Sequence, residues 1–450
     1  MNTVLERVAD WCISYQATER QRALAADAIT DTVACMYLGR DDPATLSVRQ
    51  AYLSGSIKTG PARLIGGGRT DATIAAAVNG TAAHALDFDD NFRPALSHAS
   101  AVSVPALLAT ANEFNSSGAQ VVEAYLVALQ VQGLIGAGVV PSHYTAGWHS
   151  TSTIGAIGTA AGVAHLMKFE RSQIVSAMSL AVSFASGSKA QFGAPVKPFH
   201  AGLGAKNAIE AARLAQAGLY GHADIIERKQ GFLELFGGND PRGYADINIT
   251  PSVPHYIETA GVMPKRFACC GSSHMAIDMA LDLRDEGLIK PDNIVELSVK
   301  VRIANYRNMP FTHPKNEMEA RFSMSYCIAR AVRSGRLSVA DFTPDSVARY
   351  AGEPLLDRIK MTHYTPEEEA AEDFLPHILT ATLMDGSKVE RVRRDPKGSI
   401  SEPFTGIEKR EKFLDCLKEH DGKTELFERL QSINSSDTLE ALTPLFECIE

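Results

Sequence analysis

The sequence has no surplus of positive charge: 53 aspartates and glutamates outnumber 44 lysines and arginines, for a formal net charge of −9. A surface that grips nucleic acid needs a dense basic stripe. The richest basic cluster, RVRRDPK at 391–397, is short and diluted by acidic neighbours, so nucleic acid is not an expected partner. Cysteine is sparse and irregular. There are seven, an odd number, and the one close pair, Cys269 and Cys270, is adjacent, which suits neither a CxxC redox motif nor a zinc knuckle. A reduced, cytoplasmic protein is expected. Long hydrophobic runs are missing too: AVSVPALLATA at 101–111 falls well short of the roughly 20 residues that cross a bilayer. The first 29 residues mix charge with apolar residues at helical spacing rather than forming a signal-peptide core. Neither membrane insertion nor export is expected. Nor is there a Walker lysine motif or a GxSxG elbow, and GGGRT at 66–70 lacks the GxGxxG spacing, so it reads as a plain turn.

What is present is length and pattern. At 450 residues the chain is about three domain lengths, enough for two domains with sizeable cores. From residue 1 to about 260 the pattern is helical, with Leu5, Val8, Ala9 and Cys12 on one stripe. The run AIEAARLAQAGLYG at 208–221 ends in a glycine stop. Near residue 290 the period changes. In IVELSVKVRI (294–303), Val295, Leu297, Val299, Val301 and Ile303 alternate with Glu296, Ser298, Lys300 and Arg302, the signature of a strand with one wet face. ILTATLMDGSKVERV (378–392) reads as a hairpin turning at Asp385-Gly386, flanked by helices at 272–286 and 321–334. After Pro403 two charged amphipathic helices follow, at 407–417 and 425–433. The fold class is therefore mainly α: a large helical domain over 1–262, a smaller α+β domain over 263–398, and a helical segment over 399–450.

Four stretches carry candidate chemistry. HALDFDDNFRPALSHAS (84–100) clusters carboxylates and histidines between apolar flanks. Asp89 and Asp90 read as loop or cap residues, and the ligand spacing of a calcium loop is missing. Asp87 and His98 are harder to dismiss, because unpaired charge against such flanks is costly. In AGWHSTSTIGAIGTAAG (146–162), His149 precedes Ser150, Thr151 and Ser152, any of which can cap the small-residue helix that follows; its positive end attracts an anion. KAQFGAPVKPFHAGLGAKNA (189–208) sets Lys197 and His200 on a loop opening a helix. In KRFACCGSSH (265–274), His274 begins an amphipathic helix, with Ser272 and Ser273 as candidate caps. Histidines, a lysine and an aspartate without a nucleophile, redox or nucleotide motif fit general acid–base chemistry on a small anion.

These segments, in this order, resemble the MmgE/PrpD family, which includes 2-methylcitrate dehydratase, cis-aconitate decarboxylase and iminodisuccinate epimerase: HALDFDD followed by a histidine heading an apolar run, GWHSTSTIGAIG, KPFHAG, and paired cysteines closing on a histidine. The resemblance spans nearly the whole chain. It implies a homodimer, an active site between the domains, a carboxyl-terminal segment that returns to the helical domain, and a small polycarboxylate as substrate, with neither metal nor organic cofactor. Carried over by motif, the catalytic residues are Asp87, His98, His149, Lys197 and His274. Asn91, Ser150 and Thr151 are expected to touch substrate, and Lys265 or Arg266 to bind a distal carboxylate. The chain departs from the pattern at Asn91, where the decarboxylases usually have threonine, in an interval from DFDD to His98 that is one residue longer, at Ala99 and Ser150, where many relatives have proline, and at Gly271, where a larger residue is common. The expected activity is a lyase, dehydrating or decarboxylating. An epimerase of the iminodisuccinate type is the alternative, and a catalytically silent carboxylate-binding helical dimer a third.

Overall fold

Helices dominate the first 260 residues because the sequence supplies both starts and buried stripes. Thr3, Thr18 and Ser117 each close a capping box at the heads of helices Val4–Ser14, Glu19–Leu38 and Gly118–Ala137, satisfying backbone N–H groups that no helical turn can reach. The computed structural model describes residues 2–54, 59–250, 252–372, 375–437 and 439–446. Its chain divides into two units: residues 1–191, 195–264 and 405–450 form the first, and residues 192–194 with 265–404 the second. Phe192–Ala194, read from sequence as part of the helical domain, thus cluster with the second unit, which runs on to Phe404 rather than ending at 398.

In the first unit, helices Ala72–His84, Ala99–Phe114, Gly118–Ala137, Thr153–Leu166 and Val196–Gln216 are buried on most faces. Small residues let them approach closely. A Cβ on Gly202 would stand 2.1 Å from the Ala77 carbonyl oxygen, and one on Gly80 would stand 2.9 Å from the Gly202 Cα. That contact sets the end of the Ala72–His84 helix beside the start of Val196–Gln216. Gly202→Ala is expected to lower the unfolding free energy by about 1–3 kcal/mol, read as a fall in the urea midpoint at unchanged slope; an unchanged midpoint would show that the two helices separate at no cost.

Gly118–Ala137 is long and apolar enough, by length and composition, to cross a membrane; its apolar residues are interrupted by Gln120, Gln130 and Gln132, so no continuous run marks it. It is a core helix: Gln132 donates to Ala99 O and Ser103 Oγ, and Gln130 to Pro254 O. The glycines of GGGRT form a turn, as read, between two short paired strands, β1 (Ala62–Arg63) and β2 (Arg69–Thr70), the second of which is the end of that stretch.

The second unit carries a four-stranded mixed sheet of β3 (Ile294–Val301), β4 (Ile359–His363), β5 (His377–Leu383) and β6 (Lys388–Arg393), in the order β4-β3-β5-β6. β3 and β4 are parallel, and the other two pairs antiparallel. The hairpin turns at Asp385-Gly386, where Gly386 takes a left-handed φ of 83°. Helices His274–Asp285 and Met324–Ser334 pack on the sheet. The alternation read for 294–303 holds at Leu297, Val299 and Val301, which are buried, but fails at both ends. A register shift between Ile294 and Glu296 turns Ile294 inward and leaves Val295 51% exposed, as a bulge does when it adds one residue to a period of two. At the other end, Ile303 already opens a short helix, Ile303–Asn308.

Candidate active site

The DFDD loop is buried rather than solvated. Asp87, Asp89 and Asp90 are at most 3% exposed; Asp89 and Asp90 are loop residues, as read, but buried ones. Asp87 follows the end of the Ala72–His84 helix in a left-handed conformation, φ 52°, and Leu96 repeats it at φ 48°. Non-glycine residues held there mark backbone that the surroundings over-determine. Between them, Phe92 and Ser97 exchange backbone hydrogen bonds, and Asn91 does so with Met263 at 2.9 Å in both directions. Asn91 is thus placed through its backbone. His98 ends the loop as the residue before helix Ala99–Phe114, its N–H donating to Thr151 Oγ1 at 3.0 Å.

Three other segments meet this loop. Lys197 is the second residue of helix Val196–Gln216, not a loop residue, and its ammonium pairs with Asp87 with both side chains nearly fully buried. One turn on, His200 approaches His149 through the two Nδ1 atoms at 3.0 Å. His149 is fixed by its backbone, N–H to Gly187 O at 3.0 Å. The helix after it begins at Thr153, and no side chain caps it; the expected cap from Ser150, Thr151 or Ser152 is not made. Thr151 instead serves His98, while the Ser150 and Ser152 hydroxyls are buried without a hydrogen-bond partner among the described residues.

The fourth contributor was missed. His84 ends its helix fully buried, with Nδ1 2.9 Å from both Asp89 oxygens, and its ring centroid lies 4.3 Å from that of His98 and 5.9 Å from that of His149. Asp89 also reaches His98 Nδ1 at 3.3 Å, and the same nitrogen lies 2.8 Å from Asp90 O. A carbonyl only accepts, so His98 carries a proton on Nδ1, and the ring turns Nε2 towards Asp87. That nitrogen lies 4.0 Å from Asp87 Oδ1. The signal for His84 was in the sequence: it is flanked by the same alanines that made Asp87 suspect.

Electrostatically, His84, His149 and His200 are held neutral. Burial pushes the His84 pKa down to about 3 and the His200 pKa to about 4, and burial with Lys197 nearby holds His149 well below its ordinary value. Burial opposes the Asp89 carboxylate, but His84 and His98 outweigh it and keep that carboxylate well below the usual range. Burial pushes Asp90 up to about 7. Behind the loop, Lys412 of helix Gly406–Cys416 donates to Phe88 O at 2.9 Å and pairs with Asp31 at 2.7 Å. Burial penalises that ammonium, yet Asp31 more than compensates and holds it protonated.

Of the residues expected to act, the structure brings Asp87, His98, His149 and Lys197 together, with Ser150 and Thr151 adjoining. His274, Lys265 and Arg266 belong to the second unit. There, His274 is buried with Nε2 3.2 Å from Cys269 O, edge-on to Phe267. Ser272 and Ser273 do not cap its helix; the Ser273 hydroxyl donates back to Cys270 O. Lys265 is buried, and Arg266 pairs with Asp278 at 2.9 Å.

Acid–base candidates, a buried lysine–aspartate pair and neutral histidines make up this cluster, and its histidines and carboxylates also group as metal ligands would: His84, His98 and His149 in one set, His84, Asp87, Asp89 and His98 in another. Residues 6–244 match the MmgE/PrpD N-terminal domain, and residues 267–435 the MmgE/PrpD C-terminal domain. Among curated proteins, the chain is 30% identical to a cis-aconitate decarboxylase of Homo sapiens over 336 residues, covering 71% of this chain and 67% of the relative. It is 28% identical to that of Mus musculus over 360 residues (77% and 72%), and 24% identical to one from Aspergillus terreus over 443 residues (94% and 90%).

Proposed function

The chain belongs to the MmgE/PrpD family, and from that premise we propose that this lyase decarboxylates or dehydrates a small di- or tricarboxylate of the cis-aconitate type by acid–base chemistry at the carbon next to a carboxylate. One observation carries the reading: the Lys197–Asp87 pair is buried against imidazoles that are neutral at physiological pH. Removing carbon dioxide or a proton beside a carboxylate leaves an electron pair that must spread into an aci-carboxylate, and a fixed cation in a dry site stabilises that charge far better than water does. Lys197 supplies the cation and Asp87 aims it.

In decarboxylation carbon dioxide leaves and the carbanion takes a proton from whichever of His98 and His149 carries one on the nitrogen facing it; in dehydration one of the two takes the proton from carbon and the other gives one to the departing hydroxyl, which leaves as water. His98 is placed to trade a proton at Nε2, because Nδ1 is committed to Asp90 O and Asp89. His149 is backed by His200, so the two imidazoles can share a proton between their Nδ1 atoms. Ser150 and Thr151 stand next to both as donors to a substrate carboxylate. His274 is proposed to take part from the second unit, with Lys265, and the working form to be a homodimer. Arg266, already engaged by Asp278, is proposed only to orient that region.

The test is proton NMR of the purified protein in D2O with cis-aconitate, 2-methylcitrate, citrate and both enantiomers of iminodisuccinate. Loss of carbon dioxide or water, with one deuteron gained at carbon after decarboxylation, is the expected result. Exchange with inversion and no elimination would assign an epimerase, the outcome to which the longer DFDD–His98 interval and the compact length of the chain point; silence across the panel would overturn the proposal.

A further inference from the structure

The three imidazoles nearest Asp87 do more than an acid–base site requires. Two proton-transferring groups suffice for chemistry at one carbon, yet His84, His98 and His149 each offer a ring nitrogen within 4.8 Å of the other two. Their centroids are separated by 4.3, 5.9 and 6.3 Å. Imidazoles bound to one tetrahedral ion at the usual zinc–nitrogen length have centroids roughly 5 Å apart.

The rings are also oriented as ligands are. A metal-binding histidine commonly gives its second nitrogen to a carboxylate or carbonyl, which fixes the tautomer and makes the free lone pair more basic. His84 does this with Asp89, 2.9 Å from both oxygens. His98 does it with Asp90 O at 2.8 Å, and His149 meets His200 through Nδ1. His84 Nε2 is buried and makes no hydrogen bond to any described residue, an arrangement that costs stability unless something else uses that lone pair. Asp87 gives an oxygen within the same radius of His84 and His98. With Asp89 it supplies negative charge that outweighs Lys197.

We propose that His84, His98 and His149 bind one zinc-class divalent ion, and that the bound ion switches the site off. The proposal rests on the acid–base reading for its consequence: once the imidazole lone pairs are given to a metal, none of the three can move a proton. Nitrogen donors select zinc, cobalt or copper over magnesium and calcium.

The experiment is equilibrium dialysis of chelator-treated, full-length protein against Zn2+, with Co2+ substituted to read the geometry from its visible bands. One Zn2+ per chain, four- or five-coordinate cobalt bands and no Mg2+ uptake are expected. Asp89→Asn, which keeps the shape but loosens the hold on His84, should weaken Zn2+ binding about 10–100-fold; His98→Gln, at a half-buried position, should do so by at least as much. No uptake by the folded wild type, or uptake that both variants leave intact, would overturn the site and assign any binding to surface histidines. Turnover of a carboxylate that Zn2+ inhibits and a chelator restores supports the switch; turnover indifferent to saturating Zn2+ overturns it. Zn2+ bound at these residues in a protein silent towards every carboxylate would keep the metal site and remove the lyase reading, so the two fail separately.

Discussion

Lys197→Met is expected to lower kcat by about 10²–10³-fold, the usual loss when one preorganised group facing a developing oxyanion is removed. The substitution has a second effect that must be separated from the first. Lys197 and Asp87 are both nearly fully buried, and taking away one partner strands the other's charge, a cost of about 3–5 kcal/mol. Lys197→Met alone should therefore lose both stability and turnover. Adding Asp87→Asn removes the stranded charge, so the double variant should regain most of the stability while staying inactive. Thermal unfolding and single-turnover kinetics on the three proteins decide the matter. Turnover that returns with stability would reduce Lys197 to a counter-ion for Asp87.

Acidification is expected to unfold the protein abruptly, with a midpoint between about pH 4.5 and 5.5. Burial holds five histidines far below their ordinary value: His84 near 3, and His143, His200, His255 and His377 near 4. The unfolded chain binds these protons from about pH 6.5 downward, the folded chain only near 4 or below. The stability they contribute is thus complete above pH 6.5 and is lost as pH falls from there towards 4. Each can cost about 3 kcal/mol when the shift is spent, and a typical domain has only about 5–15 kcal/mol to lose. Asp90 works the other way: its raised value, about 7, removes stability as pH rises from about 4 to 7, and burial raises Asp31 and Asp282 in the same direction, but the buried histidines outnumber these carboxyls. His377 gives the cleanest check, because its ring nitrogens have no hydrogen-bond partner among the described residues. His377→Leu should move the acid midpoint of the circular-dichroism signal downward; a wild type still folded below pH 4, with the variant unchanged, would refute the account.

Much of the architecture was legible because period and burial agree. The Asp385-Gly386 hairpin, the paired helices around the sheet and the change from helix to strand near 290 all follow from spacing alone. The misreadings have local physical causes. At Val295 a bulge shifts the register by one, which no alternation can announce. At Ser150–Ser152 the hydroxyls look like caps, but the turn is set by the His149 backbone and Thr151 is spent on His98. Asp87 and His98 stood out because a charged side chain lay against apolar flanks, whereas His149, Lys197 and His274 were marked by their places at helix starts and by the family motifs. His84 met the first criterion and was not singled out, and Asp89 was set aside because aspartate is common in loops; only the fold sets the two against each other.

Lys412 has a bearing on how the enzyme comes into being. The ribosome delivers Asp31, the DFDD loop, His149 and Lys197 first, and more than 200 residues pass between Lys197 and the ammonium that backs Phe88 and Asp31. Until it arrives, a nascent chain holds that carboxylate against the loop without its cation, an arrangement the folded interior does not tolerate. Competence therefore comes with completion: a stalled or clipped chain can gather most of the chemical groups and still lack the keystone that sets them.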